Sequence, residues 1–149
     1  MDDQKIRLAI NQIDQAFYTV MRLLGPKVSE LLERFDLTKD QFFLLSIICK
    51  DDRVTPSFLA QQLRVKPSAV TAMIDRLAKN EFVIRERDET DRRVIYITMS
   101  AKGREALKHA METRDQVIAK YLSQFTEQEY KHFIYGFQKL ERLIKEDME

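Results

Sequence analysis

Two adjacent arginines, Arg92 and Arg93, sit in a run of six polar residues, Asp88 to Arg93. On either side the chain is rich in β-branched and aromatic residues, Phe82 to Arg87 and Val94 to Thr98. That pattern predicts a two-stranded ribbon with arginines at its tip. A guanidinium on an exposed tip can enter a narrow, electronegative minor groove or meet a phosphate. The spacing is equally compatible with a solvated tip in which Arg92 and Arg93 pair with Asp88, Glu89 and Asp91. Arg85 and Arg87 lie one pleat apart and so share a face, where at least one of them is expected in a structural ion pair.

A second set of polar groups precedes the ribbon. From Pro67 to Lys79, Val70, Met73, Ile74 and Leu77 recur at helical spacing and form an apolar face. Ser68, Ala69, Thr71, Ala72, Asp75, Arg76 and Lys79 then point elsewhere. Ser68 and Thr71 can donate to phosphates or base edges, and Ala69 and Ala72 are small enough for close approach or contact with a thymine methyl. This face has no Asn or Gln to pair with adenine, so direct base readout is expected to be limited, with groove shape contributing. Arg76 and Lys79 suit phosphate, and an ion pair inside the domain is an equal alternative for Arg76.

Other chemistries lack their residues. The carboxylates Glu86, Asp88, Glu89 and Asp91 are interrupted by arginines and lack the glycine and distal glutamate of a calcium loop. His109 and His132 have no convincing ligand set around them, so neither a metal nor another cofactor is expected. Cys49, in an apolar run, is expected to be a small buried hydrophobe, and a single cysteine excludes an internal disulfide. No Ser/His/Asp set, glycine-rich phosphate loop or catalytic carboxylate pair stands out, which argues against an enzyme.

The elements that must position these groups are mostly helical. Ile6, Ile10, Ile13, Phe17, Val20 and Leu24 form one face of a long helix, expected to stop at Gly25-Pro26 and to be followed by a short helix carrying Val28, Leu31, Leu32 and Phe35. Thr38 to Gln41 has the capping-box pattern and opens an apolar helix, Phe42 to Cys49. Thr55-Pro56 starts a helix through Leu63, and Arg64-Val65-Lys66 makes the turn into Pro67. After the ribbon, Ser100 can cap a helix carrying Leu107, Met111, Ile118, Tyr121 and Phe125. Thr126 to Glu129 is a second capping box before Tyr130, Phe133, Phe137, Leu140 and Ile144. Helix, turn, helix and ribbon in that order is the layout of a winged helix-turn-helix, in which the second helix reads the major groove of DNA.

The 149 residues, 44% of them hydrophobic with three glycines and three prolines, suit one ordered, helix-rich domain. The N-terminus, Met1-Asp2-Asp3, is acidic where a signal peptide would be basic, and no run is apolar enough for a membrane span; a cytoplasmic location is expected. The net charge of +1 is unevenly spread: residues 50–104 hold twelve Lys/Arg against eight Asp/Glu, while the flanking segments are net negative. The excess coincides with the part that would meet phosphates.

Taken together, Leu59-Ala60-Gln61-Gln62-Leu63, Ser68 to Leu77, the wing Arg85…Asp91-Arg92-Arg93, and Met99-Ser100-Ala101-Lys102-Gly103 make the chain resemble a MarR-family transcriptional regulator over nearly all its length. Arg64 and Glu81 stand where glycine is usual in that family, Glu89 where proline is common, and Met99-Ser100 where Leu-Thr is frequent. Without glycine at 81, Asn80 is expected to take the left-handed conformation that ends the helix.

The resemblance implies a mainly α fold with a small β-hairpin wing and N- and C-terminal dimerisation helices. Residues 1–149 would form a single domain, with 1–36 and 101–149 as the dimerisation region and 37–100 as the DNA-binding lobe. It further implies a homodimer that binds double-stranded DNA at a pseudo-palindromic operator as a repressor, with Arg93 in the minor groove held by Asp91. Relatives bind small aromatic or anionic effectors between the two regions, where Phe17, Tyr18, Met21, Arg22, Phe43 and Ile47 could line a pocket, although core or interface packing accounts for most of them as well. A competing class is a winged-helix protein-interaction module that does not bind DNA.

Overall fold

The computed structural model describes residues 2–148. In order they form α1 (Asp3–Glu33), α2 (Lys39–Asp51), β1 (Arg53–Val54), α3 (Pro56–Leu63), α4 (Pro67–Lys79), β2 (Val83–Arg87), β3 (Ile95–Met99), α5 (Ala101–Leu122) and α6 (Glu127–Asp147). The chain packs as two compact units, one ending at Arg114 and one beginning at Asp115. Among the described residues no helix is long and apolar enough to cross a membrane.

The caps read from sequence form as expected. Thr38 accepts from the Gln41 backbone while Gln41 Oε1 accepts from the Thr38 N–H at 2.9 Å. Thr126 and Glu129 repeat the arrangement at α6, and Thr55 caps α3 ahead of Pro56. Ser100 accepts from the Gly103 N–H at 2.9 Å and so opens α5.

Four expectations are corrected. The first helix does not stop at Gly25-Pro26 but runs on to Glu33 with Pro26 inside it. A proline there removes one backbone hydrogen bond and crowds the carbonyl one turn back, a cost that the packing beyond it must offset. Beyond it, Leu32 is 1% exposed and Val28 packs on the core, so tertiary burial carries the helix through. The left-handed residue after α4 is Glu81 (φ 62°) rather than Asn80 (φ −80°). The Phe82 N–H donates to Leu77 O at 2.8 Å, and the Ser100 hydroxyl donates to Glu81 O, so both neighbours fix that backbone. Cys49 is exposed, because Leu45 and Ile48 take the inward face of α2. Finally, Phe125 lies past the end of α5, in the turn before α6.

The ribbon is part of a three-stranded antiparallel sheet in the order β1-β3-β2, with Val83 opposite Met99 and Arg87 opposite Ile95. Its inner face, Val54, Val83, Ile97 and Met99, closes a core built from Leu44, Leu45 and Ile48 of α2, Leu59 of α3, and Val70, Ile74 and Leu77 of α4. Leu32 of α1 and Leu107 and Ala110 of α5 join the same core. Gly103 is required where α5 meets the backbone entering β2, since a Cβ there would run into the Phe82 carbonyl.

Candidate nucleic-acid interface

The turn between α3 and α4 is set by Arg64, which takes the left-handed conformation (φ 52°, ψ 42°) despite its side chain. The Val65 N–H returns to Ala60 O at 3.1 Å and closes the helix end. Pro67 then occupies the first turn of α4, where its missing N–H costs nothing. With Val70, Ile74 and Leu77 buried and Met73 half-buried, Ser68, Ala69, Thr71, Ala72, Asp75, Arg76 and Lys79 are all exposed. The helical period thus assigns every one of them correctly to the outer surface.

Two of those side chains are engaged within the chain. The Thr71 hydroxyl donates to Pro67 O at 3.1 Å, so toward a groove it offers lone pairs and a methyl group. Asp75 pairs with Arg85 of β2, which makes Arg85 the structural member of the Arg85/Arg87 pair and ties the helix to the wing strand. Arg76 forms no ion pair among the described residues. With Lys79 it lines an open cleft of about 410 Å³, together with Glu33, Asp36, Thr38, Gln41 and Asn80.

The wing tip is ordered by its own carboxylates. Asp88 Oδ2 accepts from the Thr90 and Asp91 N–H groups at 3.1 and 3.0 Å. Asp91 accepts from the Arg93 backbone N–H at 3.0 Å and from Arg93 Nε and a terminal guanidinium nitrogen at 3.0 and 3.1 Å. This two-pronged grip fixes the guanidinium plane, as carboxylate–arginine forks do. It also holds the Asp91 carboxyl below its ordinary value of 3.8, through the Arg93 side chain first and the Arg93 backbone second. The Asp88 carboxyl is lowered chiefly by the Asp91 N–H. The Arg93 side chain remains 91% exposed. Pairing with Asp91 and availability to a ligand, set against each other by the spacing, therefore coexist. Arg92 is exposed beside it.

The six residues considered for an effector pocket divide differently. Phe17, Tyr18, Met21, Arg22 and Phe43 are exposed, and Ile47 packs against the core. None of the six lines the cleft beside Arg76. One structural feature escaped the sequence reading altogether: β1, whose Arg53 lies against the outer face of the sheet over Tyr96. Two residues are too few for a strand pattern, and the only signal was a polar Arg53 beside an apolar Val54.

The model of the MarR family matches residues 37–95, from the start of α2 into β3. The HTH-type transcriptional repressor MdtR of Bacillus subtilis is 31% identical over 120 residues, covering 80% of this chain and 77% of the repressor. The chain belongs to the MarR family. It is accordingly a transcriptional regulator and not an enzyme. A MarR-family protein from Bacillus stearothermophilus superposes with a TM-score of 0.83 over 97% of this chain and 99% of that one, at 23% identity, and so shares the fold. Reduced AbfR, solved bound to DNA, matches all of both chains with a TM-score of 0.70 and 26% identity. The MarR fold confirms a mainly α architecture with a β-hairpin wing. Within it, α3 and α4 form the helix-turn-helix and the β2–β3 hairpin the wing.

Proposed function

We propose that this MarR-family chain is a repressor that binds a pseudo-palindromic operator in double-stranded DNA as a homodimer in the cytoplasm. The observation that carries the reading is Arg93, gripped by Asp91 yet 91% exposed at the wing tip. In this reading Arg93 enters the minor groove. Ser68, Ala69, Thr71 and Ala72 approach base edges in the major groove, and Arg76, Lys79 and Arg92 meet phosphates. Residues 37–100 act as the DNA-binding lobe, and residues 1–36 and 101–149 supply the dimer. Support for the dimer comes from apolar faces that the chain itself leaves open, Ile10, Ile13, Phe17 and Val20 on α1 and Phe133, Phe137, Leu140 and Ile144 on α6.

The test is a titration on a duplex selected by the wild-type protein from random DNA. Arg93→Ala is expected to weaken binding on the order of tenfold or more with unchanged helicity and dimerisation. Wild-type affinity would remove Arg93 from the interface. Arg92→Ala is expected to weaken all sequences alike and to lower the salt slope by about 1, as loss of one phosphate contact does. Absence of DNA binding even at low salt would favour a protein-interaction module instead.

Release by a small aromatic or anionic effector belongs to the same proposal, with Phe17, Tyr18, Met21, Phe43 and Ile47 as apolar walls and Arg22 as the cationic anchor. A thermal-shift screen of aromatic carboxylates and phenols, followed by DNA-release assays, tests it. If no compound both stabilises the protein and releases DNA, the pocket fails for this ligand class, and the DNA-binding reading is untouched.

A further inference from the structure

Arg53 opens β1, the outer strand of the sheet, and pairs with Thr98 of β3. By register it shares the outward face of the sheet with Thr98, Tyr96 and Glu86, because Tyr96 and Glu86 are themselves partners across β3 and β2. Its guanidinium carbon lies 3.7 Å from the centre of the Tyr96 ring. Its Nε faces Glu86 Oε2 at 3.9 Å, and one terminal nitrogen faces Asp88 Oδ1 at 3.7 Å. Glu86 is held from its far side by the Thr98 hydroxyl at 3.2 Å. One face of this arginine is therefore covered by an aromatic ring, and two carboxylates lie along one of its edges. Its side chain is 45% exposed, half the exposure of Arg93.

Asp88 links this cluster to the wing tip. While its Oδ1 faces Arg53, its Oδ2 accepts from the Thr90 and Asp91 N–H groups, and its own N–H donates to Val94 O at 3.0 Å to close the loop. Asp91, whose N–H is held by Asp88 Oδ2, is the residue that grips Arg93. The contacts run without a gap from the far edge of the sheet to the exposed guanidinium: Arg53, Asp88, Asp91, Arg93.

We propose that Arg53 is a positioning residue for the wing: stacked on Tyr96 and paired with Asp88, it orders the Asp88–Val94 loop that presents Arg93. The proposal rests on the reading of Arg93 as a DNA contact. It assigns Arg53 a role that acts through Arg93, and no DNA contact of its own. Lysine at this position keeps the charge over the ring but has a single point of contact, so it restores the arrangement in part.

The experiment combines amide hydrogen exchange in the free protein with a double-mutant cycle on a duplex selected by the wild-type protein. Arg53→Ala is expected to speed exchange of the Thr90, Asp91 and Arg93 amides severalfold while leaving the amides of α4 unchanged. It should weaken DNA binding roughly three- to tenfold, in line with losing one stacked, part-exposed ion pair. In an Arg93→Ala background the same substitution should have no further effect, and Arg53→Lys should recover part of the loss. Equal losses in both backgrounds would show that Arg53 acts independently of Arg93 and would overturn the proposal. Unchanged exchange in the loop would overturn it as well. If Arg93→Ala binds DNA like the wild type, the wing's role in DNA binding falls, whereas loop exchange still decides whether Arg53 orders the loop.

Discussion

Between Leu37 and Met99, the side chains Leu44, Leu45, Ile48, Leu59, Val70, Leu77 and Ile97 are fully excluded from solvent. In α6, by contrast, Phe133, Phe137, Leu140 and Ile144 stay about half exposed, and the helix has no buried residue. Helix α1 joins the two conditions: Leu32 at its end is buried in the core, while Ile10, Ile13, Phe17 and Val20 are more than half exposed. The winged lobe thus finds its cover within one chain, and the terminal helices do not. Apolar faces of that extent on a charged, amphipathic helix call for a partner surface. In the proposed regulator, that division lets the lobe stay rigid while its separation from a second lobe is set elsewhere.

The largest expected effect comes from removing residues 1–24, which should abolish the dimer or leave an insoluble chain. The deleted face carries Ile6, Ile10, Ile13, Phe17, Val20 and Leu24, and burial at about 25 cal/mol per Å² makes it too large to forgo. Sedimentation showing a well-folded dimer without these residues would break the contrast between lobe and terminal helices.

A matched pair of glycine substitutions sharpens it. Gly103→Ala drives a Cβ into the Phe82 carbonyl oxygen and to 2.9 Å from its carbon, against backbone rather than a flexible side chain. The expected cost is about 1–3 kcal/mol, read as a lower urea midpoint. In α6, a Cβ at Gly136 meets nothing within 4 Å, so Gly136→Ala should be stabilising by up to about 1 kcal/mol through helix propensity. A loss at Gly136 comparable with that at Gly103 would mean that a partner surface sits directly against that position.

These contrasts also show what the sequence could convey. Thr38/Gln41, Thr55/Pro56 and Thr126/Glu129 act through bonds three residues long, and all three helix starts were legible. So was the outer face of α4, because Val70, Ile74 and Leu77 fix its phase. The misreadings arise where distant residues overrule a local signal. Pro26 looks like a stop until Leu32 is seen in the core, and Asn80 looks like the left-handed residue until Phe82 and Ser100 fix Glu81. Hydropathy placed Cys49 inside, whereas the phase of α2 turns it out. At the wing, Arg92 and Arg93 stood out by type, but the link from Arg53 joins residues far apart in the chain.

The smallest effect concerns acid. Asp88 and Asp91 both titrate below the ordinary value of 3.8, so their folded forms favour the carboxylate. The resulting stabilisation is complete above that value and is lost as pH falls through the depressed ones. Wing order should therefore be constant from neutral pH to about pH 4 and decline below it. Glu129 in the α6 cap is lowered in the same way, from 4.5, chiefly by the Thr126 N–H. Carboxyl-carbon NMR titrations check all three groups; a midpoint at or above the ordinary value for Asp91 would show that its grip on Arg93 is not populated.

The central claim is that two copies of the lobe meet one duplex together. Sequencing the duplexes that the full-length protein retains from a random library tests this most directly. The account predicts an enriched pseudo-palindrome whose half-site centres lie about one helical turn, ~10 base pairs, apart. Enrichment of isolated half-sites, or none at all at low salt, would contradict it.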